Sequence, residues 1–232
     1  MPEKLRGLTE IIFNLTYLFL IWLMVISMKL KEKSLPKENK KVGEYLLLAF
    51  FLLALGDTGH VGFRAYAYML GGLEKYPSLV GYGALATAIT VTLFYIAFLY
   101  IWKYRFKREF GVFQYFLIAA GILRLIILLF PQNNWSSLNP PYTWSLIRNA
   151  PLVVQGLGAA FLIYNDARRL KDNTFKWISI MIFISYACYM PVILFYNVYP
   201  MIGLLMMPKT VAYLIAGYLG YRGIYLTIRC RQ

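Results

Sequence analysis

Carboxylates, cysteines and histidines are all scarce in this chain: its 232 residues include 10 Asp and Glu, two Cys and one His. Cys188 lies in an apolar run and Cys230 in a basic tail, so they form neither a disulfide framework nor a CxxC pair. One histidine with two cysteines falls short of a four-ligand structural zinc site, and no metal is expected. The HExxH, GxSxG, Walker A and Rossmann glycine patterns are absent. No catalytic residue and no cofactor is therefore assigned. Charge of either sign is sparse at 15%, against about a quarter in soluble domains.

Apolar surface is abundant instead. Hydrophobic residues make up 60%, aromatics 18%, and mean hydropathy is +0.57. A globule of this size cannot cover itself with so few polar groups, which points to a multi-pass protein of the cell membrane. A net charge of +14 would suggest nucleic acid in a soluble protein. In a membrane protein the same excess reflects basic cytoplasmic loops, and no nucleic-acid partner is expected.

Seven apolar stretches follow one another: Ile11–Met28, Tyr45–Leu70, Leu79–Trp102, Val112–Phe130, Ser145–Tyr164, Trp177–Tyr196 and Met201–Tyr221. Each approaches the ~20 residues a helix needs to cross ~30 Å of hydrocarbon. The expected fold is a single all-α domain, a seven-transmembrane-helix bundle over residues 1–232. Lys and Arg crowd alternate connections: Lys29–Lys41, Lys103–Arg108, Arg168–Lys176, and the tail with Arg222, Arg229 and Arg231. The other side holds Lys4, Arg6 and Lys75. This bias places the N-terminus outside and the C-terminus in the cytoplasm. The long Lys31–Lys41 connection is expected to lie on anionic headgroups. The charge-free Pro131–Thr143 connection is expected to form an ordered outer cap. Trp102, Trp135, Trp144 and Trp177 fall at predicted interfaces, and Trp22 falls mid-helix.

Six ionisable residues fall inside the spans: Asp57, His60, Arg64, Arg124, Arg148 and Lys209. Ionisable groups at membrane depth mark functional sites unless they pair or snorkel. Counting ~1.5 Å per residue along each helix puts all six in the outer half, with Asp57 and Arg124 at one height. On helix two, Asp57, His60 and Arg64 share one arc. Gly56, Gly59 and Gly62 share the opposite one, where a neighbouring backbone can approach. Helix two is therefore expected to be buried in the bundle. Pro208 is expected to kink helix seven beside Lys209, with Tyr213 one turn below. Tyr186 and Tyr189 of helix six, and Arg148 with Gln155 on one face of helix five, can line the same space. Asn14, Thr16, Thr87, Thr90 and Thr92 are read as hydrogen-bonders between helices.

One carboxylate among four cations predicts a water-accessible outer pocket in which Asp57 pairs with Arg124. The remaining positive field favours a small anionic or amphiphilic ligand, a lipid headgroup included. The expected role is a sensor or a transporter, and a sensor would signal through a partner protein. The alternative is an intramembrane lipid-modifying hydrolase using Asp57 and His60. The Leu55–Asp57 and Asn165–Asp166 segments resemble the aspartate motifs of lysoplasmalogenase-type membrane hydrolases over a few residues. The two aspartates fall at different depths, so a shared two-carboxylate site does not follow. A retinal-type reading of Lys209 fails on the missing acidic counterion in helix three.

Overall fold

The computed structural model describes residues 3–226, with side chains from Ile12 onward except Pro200. The tail residues Arg229, Cys230 and Arg231 lie outside the described residues, as do the side chains of Lys4 and Arg6. Seven α-helices run through the described chain: α1 Glu3–Lys31, α2 Lys37–Met69, α3 Pro77–Phe106, α4 Val112–Leu128, α5 Tyr142–Arg169, α6 Asn173–Phe195 and α7 Met206–Tyr221. Each packs on the next, α1 closes against α7, and α3 also reaches α5. The result is a bundle of antiparallel consecutive helices closed by the parallel pair α1 and α7, with α3 its most buried member. Phe94, Tyr95, Phe98, Leu99 and Ile101 of α3 are completely buried.

Six of these segments are long and apolar enough to cross a membrane. The 16-residue α7 reaches that length only with its flanking turns, over Met201–Leu226, and the exception is α4, whose 17 residues span about 26 Å. It stops short of the predicted Phe130 because Pro131 disfavours helical geometry in the residue before it. Large apolar side chains such as Phe19, Leu23, Ile122 and Leu129 point outward, as a lipid-facing surface requires.

Packing rests on small residues, the usual device where lipid supplies no hydrophobic drive between helices. A Cβ at Gly56 would overlap Thr90 Oγ1, and one at Gly83 would sit 2.8 Å from the Gly59 carbonyl oxygen. Thr87 Oγ1 donates to the Gly56 carbonyl at 2.8 Å across this α2–α3 seam. The expected glycine face is therefore real, but it covers only part of α2. Leu48, Phe51, Leu55, Phe63 and Tyr66 form an exposed stripe, and Gly62 opens onto a groove with Phe63 and Ile89. The expectation of a fully buried α2 is corrected accordingly: its polar residues occupy one sector and its lipid-facing residues another.

Three further expectations change. The Lys31–Lys41 connection is no long loop, because α1 continues to Lys31, one 3-10 turn covers Glu32–Ser34, and α2 starts at Lys37. Pro208 does not kink α7. A 3-10 segment, Pro200–Leu205, precedes the helix, so Pro208 is its third residue, where an N–H would have no helical partner anyway. The interior prolines are Pro151 in α5 and Pro191 in α6. Trp102 is not an interfacial anchor: it is buried and donates to Asp166 Oδ2 at 2.9 Å. Trp22 owes its mid-helix place to a 2.9 Å bond to Thr58 Oγ1. Trp177, half exposed, suits an interface.

The two ends of the bundle differ. At the cap end, the Pro131–Thr143 connection is ordered, as expected. Buried Asn133 donates to Ile127 O and Phe130 O, Trp135 Nε1 donates to Leu128 O, and the Trp135 carbonyl presses on Gly81. At the lysine-rich end, Arg105 pairs with Asp172 at 2.7 Å, Arg108 with Asp166 at 3.2 Å and Lys103 with Glu109 at 2.6 Å. Asp172 also caps α6 by accepting from Phe175 N at 3.1 Å.

Candidate functional site

Between the cap and the middle of the bundle, all seven helices turn polar side chains inward. Arg124 of α4 is the deepest cation, with 2% of its surface exposed. Its guanidinium is satisfied largely by backbone. Nε donates to Arg148 O at 2.9 Å, and Nη1 donates to Ala88 O at 2.8 Å and Thr92 Oγ1 at 2.6 Å. Nη2 takes no acceptor among the described residues.

Tyr189 of α6 is the meeting point of the cations. Lys209 Nζ stands 4.5 Å above its ring and 5.9 Å from that of Tyr213. Arg124 and Arg148 both act electrostatically on Tyr189, whose hydroxyl donates to Asn149 Oδ1 at 3.0 Å. Arg148 lies under the cap, its guanidinium 4.7 Å from the Trp135 ring and Nη1 at 3.5 Å from Asn133 Oδ1. Lys209 Nζ has no hydrogen-bond acceptor among the described residues; its contacts are ring faces.

Asp57 stands apart from the arginines. Its Oδ2 accepts from Tyr17 Oη of α1 at 2.6 Å, and it attracts Lys209 without an ion pair within 4 Å. The expected Asp57–Arg124 pair is not formed, because carbonyls of α3 and α5 and the Thr92 hydroxyl already hold the guanidinium. His60, one turn nearer the cap, lies in the field of Arg64 and Lys209. It makes no hydrogen bond to Asp57, and its buried Nδ1 has no partner. Arg64 is half-buried near the cap-side end of α2, with no ion pair among the described residues.

Below this space lies an aromatic floor. Tyr95 and Tyr213 join their hydroxyls, and Phe94 meets them edge-on at 5.0 and 5.6 Å. Phe50 and Phe98 extend the layer toward the lysine-rich end at 5.7 and 4.5 Å from Phe94. Tyr186 is buried at its edge, donates to Leu152 O at 2.9 Å and rests on Gly156. Beside it, completely buried Gln155 finds no partner for either amide atom among the described residues, and Ser185 lies against Tyr213. Buried polar atoms without partners are rare and mark places for water or a ligand.

Of the eight residues singled out from the sequence, Asp57, His60, Arg124, Arg148, Lys209, Tyr186 and Tyr189 converge on this interior, and Arg64 flanks it. Tyr17, Tyr95, Asn149 and Ser185 were not anticipated. Tyrosines are so common here, 20 in all, that pattern alone does not pick out the inward ones. Thr87 and Thr92 bond across helices as expected, whereas Thr16 is exposed. Asp166 is held by Trp102 and Arg108 at the lysine-rich end, so it shares no site with Asp57.

The helices and their apolar exteriors define a multi-pass helical membrane protein with a polar interior in one half. Comparison with protein-family models, curated proteins and solved structures gives no significant match.

Proposed function

We propose that this is a multi-pass protein of the cell membrane whose cap end faces outward and whose polar interior binds a small anionic or amphiphilic ligand, as a sensor or transporter. The supporting observation is the state of the cations around Tyr189. Lys209 Nζ and Arg124 Nη2 find no acceptor among the described residues, although two guanidiniums and an ammonium share a space with a single carboxylate. Several kcal/mol attach to each buried charge left without a counter-charge. A ligand bearing acidic oxygens supplies both the charge and the acceptors. In this orientation the lysine-rich end meets anionic cytoplasmic headgroups, and a sensor would signal there through a partner protein.

The hydrolase reading has less support. It requires His60 to act on Asp57 or on a water beside it, and Asp57 is engaged by Tyr17 instead. Binding tests the main reading. Anions added to the purified protein in phosphatidylcholine nanodiscs should raise its thermal midpoint. Lys209→Gln should weaken that effect about tenfold in apparent affinity, the scale of one ~1.4 kcal/mol interaction. Anion binding that is indifferent to Lys209→Gln would rule the pocket out.

A further inference from the structure

The charges around Tyr189 specify more than an anion. We propose that the ligand is a dianion, its two negative charges lying between Arg124, Arg148 and Lys209; this rests on the anion-binding reading above. Asp57 is the one carboxylate in the interior among the described residues, and its electrostatic partner is Lys209. It therefore offsets one positive charge and leaves the two guanidiniums. Arg124 and Arg148 repel each other across the space, and neither has a carboxylate partner among the described residues. A monoanion leaves one of them without a counter-charge. A neutral amphiphile leaves both.

The donor geometry gives the shape. A free arginine fork grips one oxyanion with two parallel bonds. Here Arg124 has spent Nε and Nη1 on Arg148 O, Ala88 O and Thr92, and presents only Nη2. Arg148 has Nη1 turned to Asn133 and its plane against Trp135. Arg124 can therefore give an incoming group only its Nη2 and Arg148 its Nε/Nη2 edge, from different helices. Lys209 adds a third direction from above Tyr189. Donors arriving from several sides suit a ligand with acidic oxygens on more than one face: a phosphate group or a short dicarboxylate. The cap above Arg148 and the Phe94–Tyr95–Tyr213 floor bound its length. A phosphate monoester headgroup in the bilayer carries the same chemistry as a free dianion.

The test is charge discrimination at fixed size. Succinate and succinamate have the same chain length and differ by one charge. Binding to the protein in phosphatidylcholine nanodiscs, followed by calorimetry, should favour succinate by about tenfold or more. Inorganic phosphate at pH 8 is the second dianion probe. The preference should collapse in Arg148→Gln, a variant of a half-buried side chain whose backbone still serves Arg124. Lys209→Gln should weaken both ligands alike. If nanodiscs containing phosphatidate abolish the binding of added dianions, the same site takes a lipid headgroup. Succinamate binding as tightly as both dianions, with sensitivity to Lys209→Gln retained, overturns the dianion and leaves the anion pocket standing. Absence of binding by every probe, phosphatidate included, removes both.

Discussion

The lysine-rich end and the cap half of the bundle both collect cations, yet they satisfy them by opposite means. At the lysine-rich end, carboxylates answer them: Glu32, Glu44, Glu109, Asp166 and Asp172 each meet a lysine or arginine within 4 Å. In the cap half one carboxylate faces three inward cations. The partners there are carbonyl oxygens, a threonine hydroxyl and aromatic faces. Carbonyls and rings solvate a cation but cancel no charge. Lysines and arginines still outnumber carboxylates at the lysine-rich end, but most of that excess is exposed, whereas the cap half turns its uncancelled cations inward. Cations of the first kind set topology and hold loops, whereas those of the second kind make a site.

If the cap half keeps its form by close packing and the lysine-rich end by pairing, substitutions should separate the two. Gly56→Leu should be the most damaging, because its side chain meets Thr90 Oγ1 and the Thr87 backbone. A loss of about 3 kcal/mol is expected, the upper part of the range for overpacking. Gly62→Leu should leave the thermal midpoint in detergent unchanged, since nothing lies within 4 Å of that position. Equal effects of the two would erase the packing half of the comparison. Next, Asp172→Ala should cost about 2 kcal/mol, roughly half from the α6 cap and half from Arg105. Its anion binding should stay at the wild-type level, and a loss of binding would tie the two ends together. The smallest effect belongs to Lys41→Gln. The exposed pair with Glu44 should contribute almost nothing to the thermal midpoint, and any difference should vanish in 1 M salt.

The periodic features of this fold were readable from the chain, and the choice of partners was not. Helix number, the Gly56–Gly59 approach to α3 and the inward arc of Asp57 and His60 follow from spacing alone. The Lys209–Tyr213 alignment does too. The partner of Arg124 did not, because an arginine can be satisfied by carbonyls, and every residue has one. Nor did the Tyr17–Asp57 bond, which depends on the rotation of α1 against α2. Helix ends were the other gap. Pro208 looked like a kink because the chain before it is apolar. Only the 3-10 segment Pro200–Leu205 moves the helix start to Met206, where a proline is harmless. A count of Lys and Arg showed the lysine-rich end as loop, whereas carboxylates three to six residues away, and others across helices, draw it into short turns.

Arg124 ties α3, α4 and α5 through the carbonyls of Ala88 and Arg148, with the Thr92 hydroxyl as its one side-chain acceptor. Such a strut reads backbone, so most replacements at position 148 leave its acceptor in place. In a set of descendants of this chain, the bond between positions 124 and 148 would by itself impose no correlated substitution. Methods that find contacts by covariation would pass over the joint that fixes three helices together.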